Sequence, residues 1–81
     1  MVPVFYHADV ATAIEVMKAC YAGGVRVFEF TNRGAAAAEV FAALVPFAKK
    51  ELPELVLGVG SVSDGRSARR FIRLGAAFVV G

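Results

Sequence analysis

Four short runs of apolar, strand-forming residues punctuate the chain: "VPVFY" from Val2, "VRVFEF" from Val25, "LVLGVG" from Leu55 and "AAFVVG" from Ala76. Between them the apolar positions change period. After Asp9, a residue suited to capping a helix, Val10, Ala13, Ile14, Met17 and Cys20 recur at helical spacing until Gly23 and Gly24 end the pattern. A second helical stripe carries Ala37, Val40, Phe41, Leu44, Val45 and Ala48. Pro46 falls inside it, and a missing backbone donor there predicts a kink or a break. A third begins at Ser63 or Asp64, turns Ala68, Phe71 and Ile72 inward and stops at Gly75.

The elements expected are therefore strands at about residues 2–6, 25–30, 55–60 and 76–80, and helices at about 10–22, 35–51 and 64–74. Strands alternating with helices at this spacing build βαβ units on a parallel sheet, so the chain reads as an α/β fold of the form (βα)₃β. If the parent architecture is a (βα)₈ barrel, four strands are half of it, and both sheet edges stay open to pairing. An open doubly wound sheet is the competing arrangement, and it would need the strand order to reverse at a switch point.

Length limits the chain to a single domain, a partial one if the parent is a barrel, because 81 residues leave no room for a second core. At 58% hydrophobic and 20% charged it is too apolar for disorder and short of polar surface for a free-standing unit, which points toward self-association. The lone Cys20 excludes an internal disulfide and fits as a small helix hydrophobe in a reducing compartment. No apolar run is long enough to cross a bilayer, and "MVPVFYHAD" has neither a basic region nor a long apolar one, so a cytoplasmic protein without a membrane partner is expected.

A net charge of +2 is too small for a nucleic-acid footprint unless it is concentrated. Arg66, Arg69, Arg70 and Arg73 do form one stripe on the third helix, but no aromatic residues interleave with them to stack bases, so a solvated face is expected. No Cys or His cluster stands at ligand spacing, and neither a metal nor another cofactor is called for.

Chemistry in a parallel α/β sheet sits at the carboxyl ends of the strands. There the second strand carries Glu29, Thr31 and Arg33, which share one parity and project to one face while the chain stays extended. Flanked by Val27, Phe28 and Phe30, a buried Glu29 would bind its proton more tightly through desolvation, as a general base near neutral pH requires. Arg33 offers a planar fork for a carboxylate. On spacing alone, a simple Glu29–Arg33 ion pair capping the strand end fits equally well. Ser61 follows the glycines of "GVGSV", which would let a small ligand approach the backbone, and His7 ends the first strand as a loop or capping residue.

The blocks "VPVFYHAD", "AGGVRVFEFTNRG", "LVLGVGSV" and "LGAAFVVG", in this order, closely resemble the amino-terminal half of the 2-keto-3-deoxy-6-phosphogluconate / 4-hydroxy-2-oxoglutarate aldolase family. The resemblance runs over essentially the whole chain and rests on GG-x-R-x-x-E-x-T-x-R together with G-x-G-[TS]-V. It implies a trimeric (βα)₈ barrel and class I chemistry, in which a keto acid is split through a Schiff base into pyruvate and an aldehyde. Glu29 then matches the general acid/base, Arg33 the arginine that holds the pyruvate carboxylate, and Ser61 a hydroxyl contact to the same end of the substrate. Thr31 matches the threonine at the strand end.

The resemblance also implies an absence. The family's Schiff-base lysine belongs to the sixth strand and its phosphate-binding loops to the later half of the barrel, beyond these residues. Lys18, Lys49 and Lys50 all fall on predicted helices. The expectation is an aldolase half-barrel that takes a small keto acid but is inactive alone. The alternative is a non-catalytic half-barrel module that self-assembles through its open strand edges, and a homo-oligomer, a dimer or larger for the half-barrel, is expected.

Overall fold

The computed structural model describes residues 4–7, 9–33 and 36–81. Its elements run β1 (Val4–Phe5), α1 (Val10–Ala22), β2 (Val27–Thr31), α2 (Ala37–Glu51), β3 (Val56–Gly60) and α3 (Gly65–Leu74). Residues 2 and 3 of the expected first strand, and residue 35 of the expected second helix, lie outside the described residues.

All strand pairs are parallel and sequential, in the order β1-β2-β3. Segment 77–80 extends the sheet beside β3. There Val79 forms a parallel bridge with Val59, Ala77 N–H donates to the Leu57 carbonyl at 2.8 Å, and Val80 N–H donates to the Val59 carbonyl at 2.9 Å. The expected fourth strand is thus one bridge with flanking backbone bonds. This order never reverses, which removes the doubly wound alternative.

Strand parity sorts the side chains onto two faces. Phe28, Phe30, Leu57 and Val59 point toward the helices and are buried with Ala13, Met17, Val40, Phe41, Leu44 and Phe71. The Phe41 ring lies 6.1 Å from Phe30 and 5.5 Å from Phe71, the latter edge-on at 82°. Aromatic stacking of this kind adds about 0.5–1.5 kcal/mol per pair to the burial itself. The second face, which carries Glu29, Thr31, Gly58 and Gly60, has no helix over it, and Val4, Val56 and Val80 remain exposed.

Helix boundaries follow local chemistry. Gly24, with φ of +100°, closes α1: its N–H donates to the Tyr21 carbonyl and the Val25 N–H reaches back to Cys20. Asp64 caps α3 by accepting from the Ser67 N–H at 2.7 Å, and this bond holds its carboxyl below the usual carboxylate value. Asp9 precedes α1, and its backbone carbonyl accepts the Ala13 N–H at 3.0 Å, but its side chain accepts no backbone N–H of that helix. Instead its carboxylate accepts from the Thr12 hydroxyl at 2.8 Å, which likewise lowers its proton affinity.

α2 runs unbroken through Pro46, so the break allowed for there does not occur: Pro46 lies on the exposed side of a helix whose other flank, Leu44, Val45 and Ala48, is anchored in the core. Ile72 does not turn inward: it is 58% exposed, since the buried stripe of α3 runs through Ala68, Phe71 and Leu74, and Ile72 lies about 100° round from Phe71. Arg66, Arg69, Arg70 and Arg73 are exposed.

Candidate functional site

Glu29 sits in the middle of β2, opposite Gly58, with its side chain on the helix-free face. It is half-buried rather than enclosed. Phe28 and Phe30, the neighbours in sequence that predicted desolvation, lie across the sheet from it, because alternate residues of a strand face opposite ways. Among the described residues no protein group hydrogen-bonds the Glu29 carboxylate. Nor is Arg33 its partner: among the described residues the ion pairs are Lys18 with Glu15 and Arg26 with Glu54. The simple strand-end ion pair left open by the spacing does not form.

The carboxylate leans instead toward β3. A Cβ built on Gly60 would overlap Glu29 Oε2, and would stand 2.7 Å from Cδ and 3.2 Å from Cγ. Gly60 therefore leaves the volume that the acid occupies. Gly58 does the same for Phe78, whose ring fills the place of a side chain there. The sequence suggested that these glycines admit a ligand to the backbone, but the chain's own side chains take both spaces. Neither occupant is adjacent in sequence, so only tertiary packing reveals them.

Thr31 is the last residue of β2, paired with Gly60 on the same face as Glu29 and only 7% exposed. Arg33 lies two residues beyond the strand, so the alternation that grouped it with Glu29 and Thr31 stops short of it; it is exposed. Ser61 directly follows β3, exposed and with φ of +62°, a left-handed conformation that costs an L-residue roughly 1–2 kcal/mol. Asn32 ties the two strand ends together: its N–H donates to the Gly60 carbonyl at 2.8 Å and its side-chain amide to the Ser61 carbonyl at 3.4 Å. Sequence reasoning passed over Asn32; its place between two motif residues at a strand end was the available signal.

His7 is no part of this cluster. Its Nδ1 accepts the Asp9 N–H at 2.9 Å and its ring stacks on Phe5, which is the loop-capping role. Arg26 of the first motif is also structural: its guanidinium lies 3.9 Å over the Tyr21 ring and donates to the Tyr21 and Val25 carbonyls at the start of β2, away from the site. An apolar cavity of about 160 Å³, lined by Val45, Ala48, Leu52, Leu55 and Leu57, opens at the amino-terminal end of β3, opposite the polar cluster.

A parallel sheet with sequential strands, helices on one face and polar side chains at the strand carboxyl ends is a segment of a (βα) barrel. The family described as "Aldolase: KDPG and KHG aldolase" matches residues 1–81, and the chain belongs to that family. It is 35% identical over 80 residues to the 2-dehydro-3-deoxy-phosphogluconate aldolase of Pseudoalteromonas atlantica, covering 99% of this chain and 35% of the relative. To the KHG/KDPG aldolase of Escherichia coli K12 it is 34% identical, covering 99% and 36%. The crystal structure of the 2-keto-3-deoxy-6-phospho-gluconate aldolase from Zymomonas mobilis superposes with a TM-score of 0.82 at 31% identity, over 99% of this chain and 36% of that one. The chain thus spans little more than a third of the length of these relatives.

Proposed function

We propose that these residues form the amino-terminal part of a class I aldolase barrel, acting on a 2-keto-3-deoxy-6-phosphogluconate or 4-hydroxy-2-oxoglutarate type of substrate to give pyruvate and an aldehyde. Glu29 exchanges the proton, Arg33 holds the pyruvate carboxylate, and Ser61 and Thr31 contribute hydroxyls to the same end of the substrate. The observation that carries this reading is the free Glu29 carboxylate, unpaired among the described residues and resting against Gly60 beside Ser61 in a chain that matches the aldolase family throughout. A carboxylate without an ion-pair partner can give and take a proton; one locked to an arginine cannot do so cheaply.

Alone, the 81 residues do not turn over. Class I chemistry needs a lysine to form an iminium that accepts the electron pair released on carbon–carbon cleavage. Lys18 lies on α1, held 3.7 Å from Glu15, while Lys49 and Lys50 lie in the last turn of α2. That helix starts after the carboxyl end of β2 and finishes before the start of β3, so its last turn is at the far end of the sheet from Glu29. A positioned base by itself contributes only about 10²–10⁴ in rate. The test is pyruvate release from 4-hydroxy-2-oxoglutarate by the purified chain, with borohydride added to trap any Schiff base. No release and no reduced adduct are expected; either one would overturn the claim.

The exposed Val4, Val56 and Val80 on the helix-free face favour a second reading, in which the chain self-assembles through that face and its open strand edges. Equilibrium sedimentation then gives a discrete multiple of 8.5 kDa, whereas a monomer across the micromolar range contradicts it.

A further inference from the structure

We infer that Gly60 is a positioning residue for the Glu29 carboxylate, and that its missing side chain sets the direction from which the acid meets its substrate. This deepens the reading of Glu29 as the proton-transfer group and rests on it. The side-chain volume at position 60 is already taken by the carboxyl group: Oε2 overlaps where a Cβ would be, and Cδ lies within 2.7 Å of it. The register puts Gly60 opposite Thr31, one pleat beyond Glu29 toward the strand ends. The acid therefore leans forward and across onto β3, next to Ser61, instead of standing straight out from β2.

What surrounds each glycine separates positioning from packing. A methyl at Gly58 meets the Phe78 ring, a rigid group with its own packing. At Gly60 it meets the free end of a flexible side chain that accepts no hydrogen bond among the described residues, so the carboxylate can swing aside while the backbone stays put. Gly60 also has no left-handed φ to defend. Gly60→Ala should consequently fold and misplace one functional group.

The experiment follows the side-chain carboxyl carbons by NMR in the 81-residue chain labelled with ¹³C-glutamate, with pyruvate as the added probe. In Gly60→Ala the Glu29 carboxyl resonance should shift while those of Glu15, Glu39, Glu51 and Glu54 stay where they were. Pyruvate should move the Glu29 signal in the unmodified chain and lose that effect in Gly60→Ala, while the Arg33 and Ser61 backbone amides still respond. An unmoved Glu29 resonance in Gly60→Ala overturns the inference. Failure of the unmodified chain to respond to pyruvate overturns the underlying functional reading instead, because the shift caused by Gly60→Ala needs no ligand. If Gly60→Ala does not fold, Gly60→Ala with Glu29→Ala decides: folding restored by removing the acid supports the contact, and failure of both variants places the requirement in the backbone and overturns it.

Discussion

A carboxylate within a strand needs a partner or a use, and at Glu29 the partner is absent among the described residues. Replacing it by the near-isosteric Gln should leave stability within about 0.5 kcal/mol in urea unfolding, since no ion pair or hydrogen bond is lost. A loss above about 1 kcal/mol would reveal a hidden ion pair. The parity of "VFEFT" was enough to put Glu29 and Thr31 on one face, because a period of two survives any tertiary detail. Arg33 could not be assigned that way, since the alternation ends with the strand at Thr31. Nor could Gly60, whose role depends on a side chain thirty-one positions earlier. The enclosed surroundings expected for Glu29 failed for a related reason: its sequence neighbours Phe28 and Phe30 are its neighbours only along the chain.

At the scale of elements, helical periodicity located the core well. The stripe Ala37, Val40, Phe41, Leu44, Val45 and Ala48 is the buried face of α2, because one apolar sector of a helix must cover the sheet. The helix does not break at Pro46, because propensity is local and anchoring is not. A proline in a helix interior nevertheless forfeits about 3 kcal/mol relative to alanine, through a lost donor and a ring clash. Pro46 is exposed, so Pro46→Ala removes that penalty without opening a cavity. The variant should unfold at higher urea, with a gain of roughly 1–3 kcal/mol. An unchanged midpoint would mean that the helix has already relaxed around the proline. On α3 the misplaced residue was Ile72, which was grouped with Ala68 and Phe71 as inward; a hydrophobic residue outside the stripe is ordinary on a protein surface.

For the molecule as a whole, one face of the sheet is sealed by α1, α2 and α3 and the other carries both the polar cluster and the exposed valines. In a closed barrel that second face is the interior, filled by side chains from every strand. The same face thus joins the two proposals: its polar end is the proposed keto-acid site, and its apolar remainder is what further strands or a second copy would cover. The apolar composition had foretold this uncovered surface, whereas its location on the Glu29 face needed the register.

The central claim is that Glu29, Thr31, Arg33 and Ser61 form the keto-acid end of an aldolase site without its nucleophile. A titration of the ¹⁵N-labelled chain with pyruvate, read at the backbone amides, tests this most directly. The account predicts shifts confined to residues 29–33 and 60–62 that disappear in Arg33→Ala while the fold is retained. Amides that do not respond at those strand ends, or a response that survives Arg33→Ala unchanged, would contradict it.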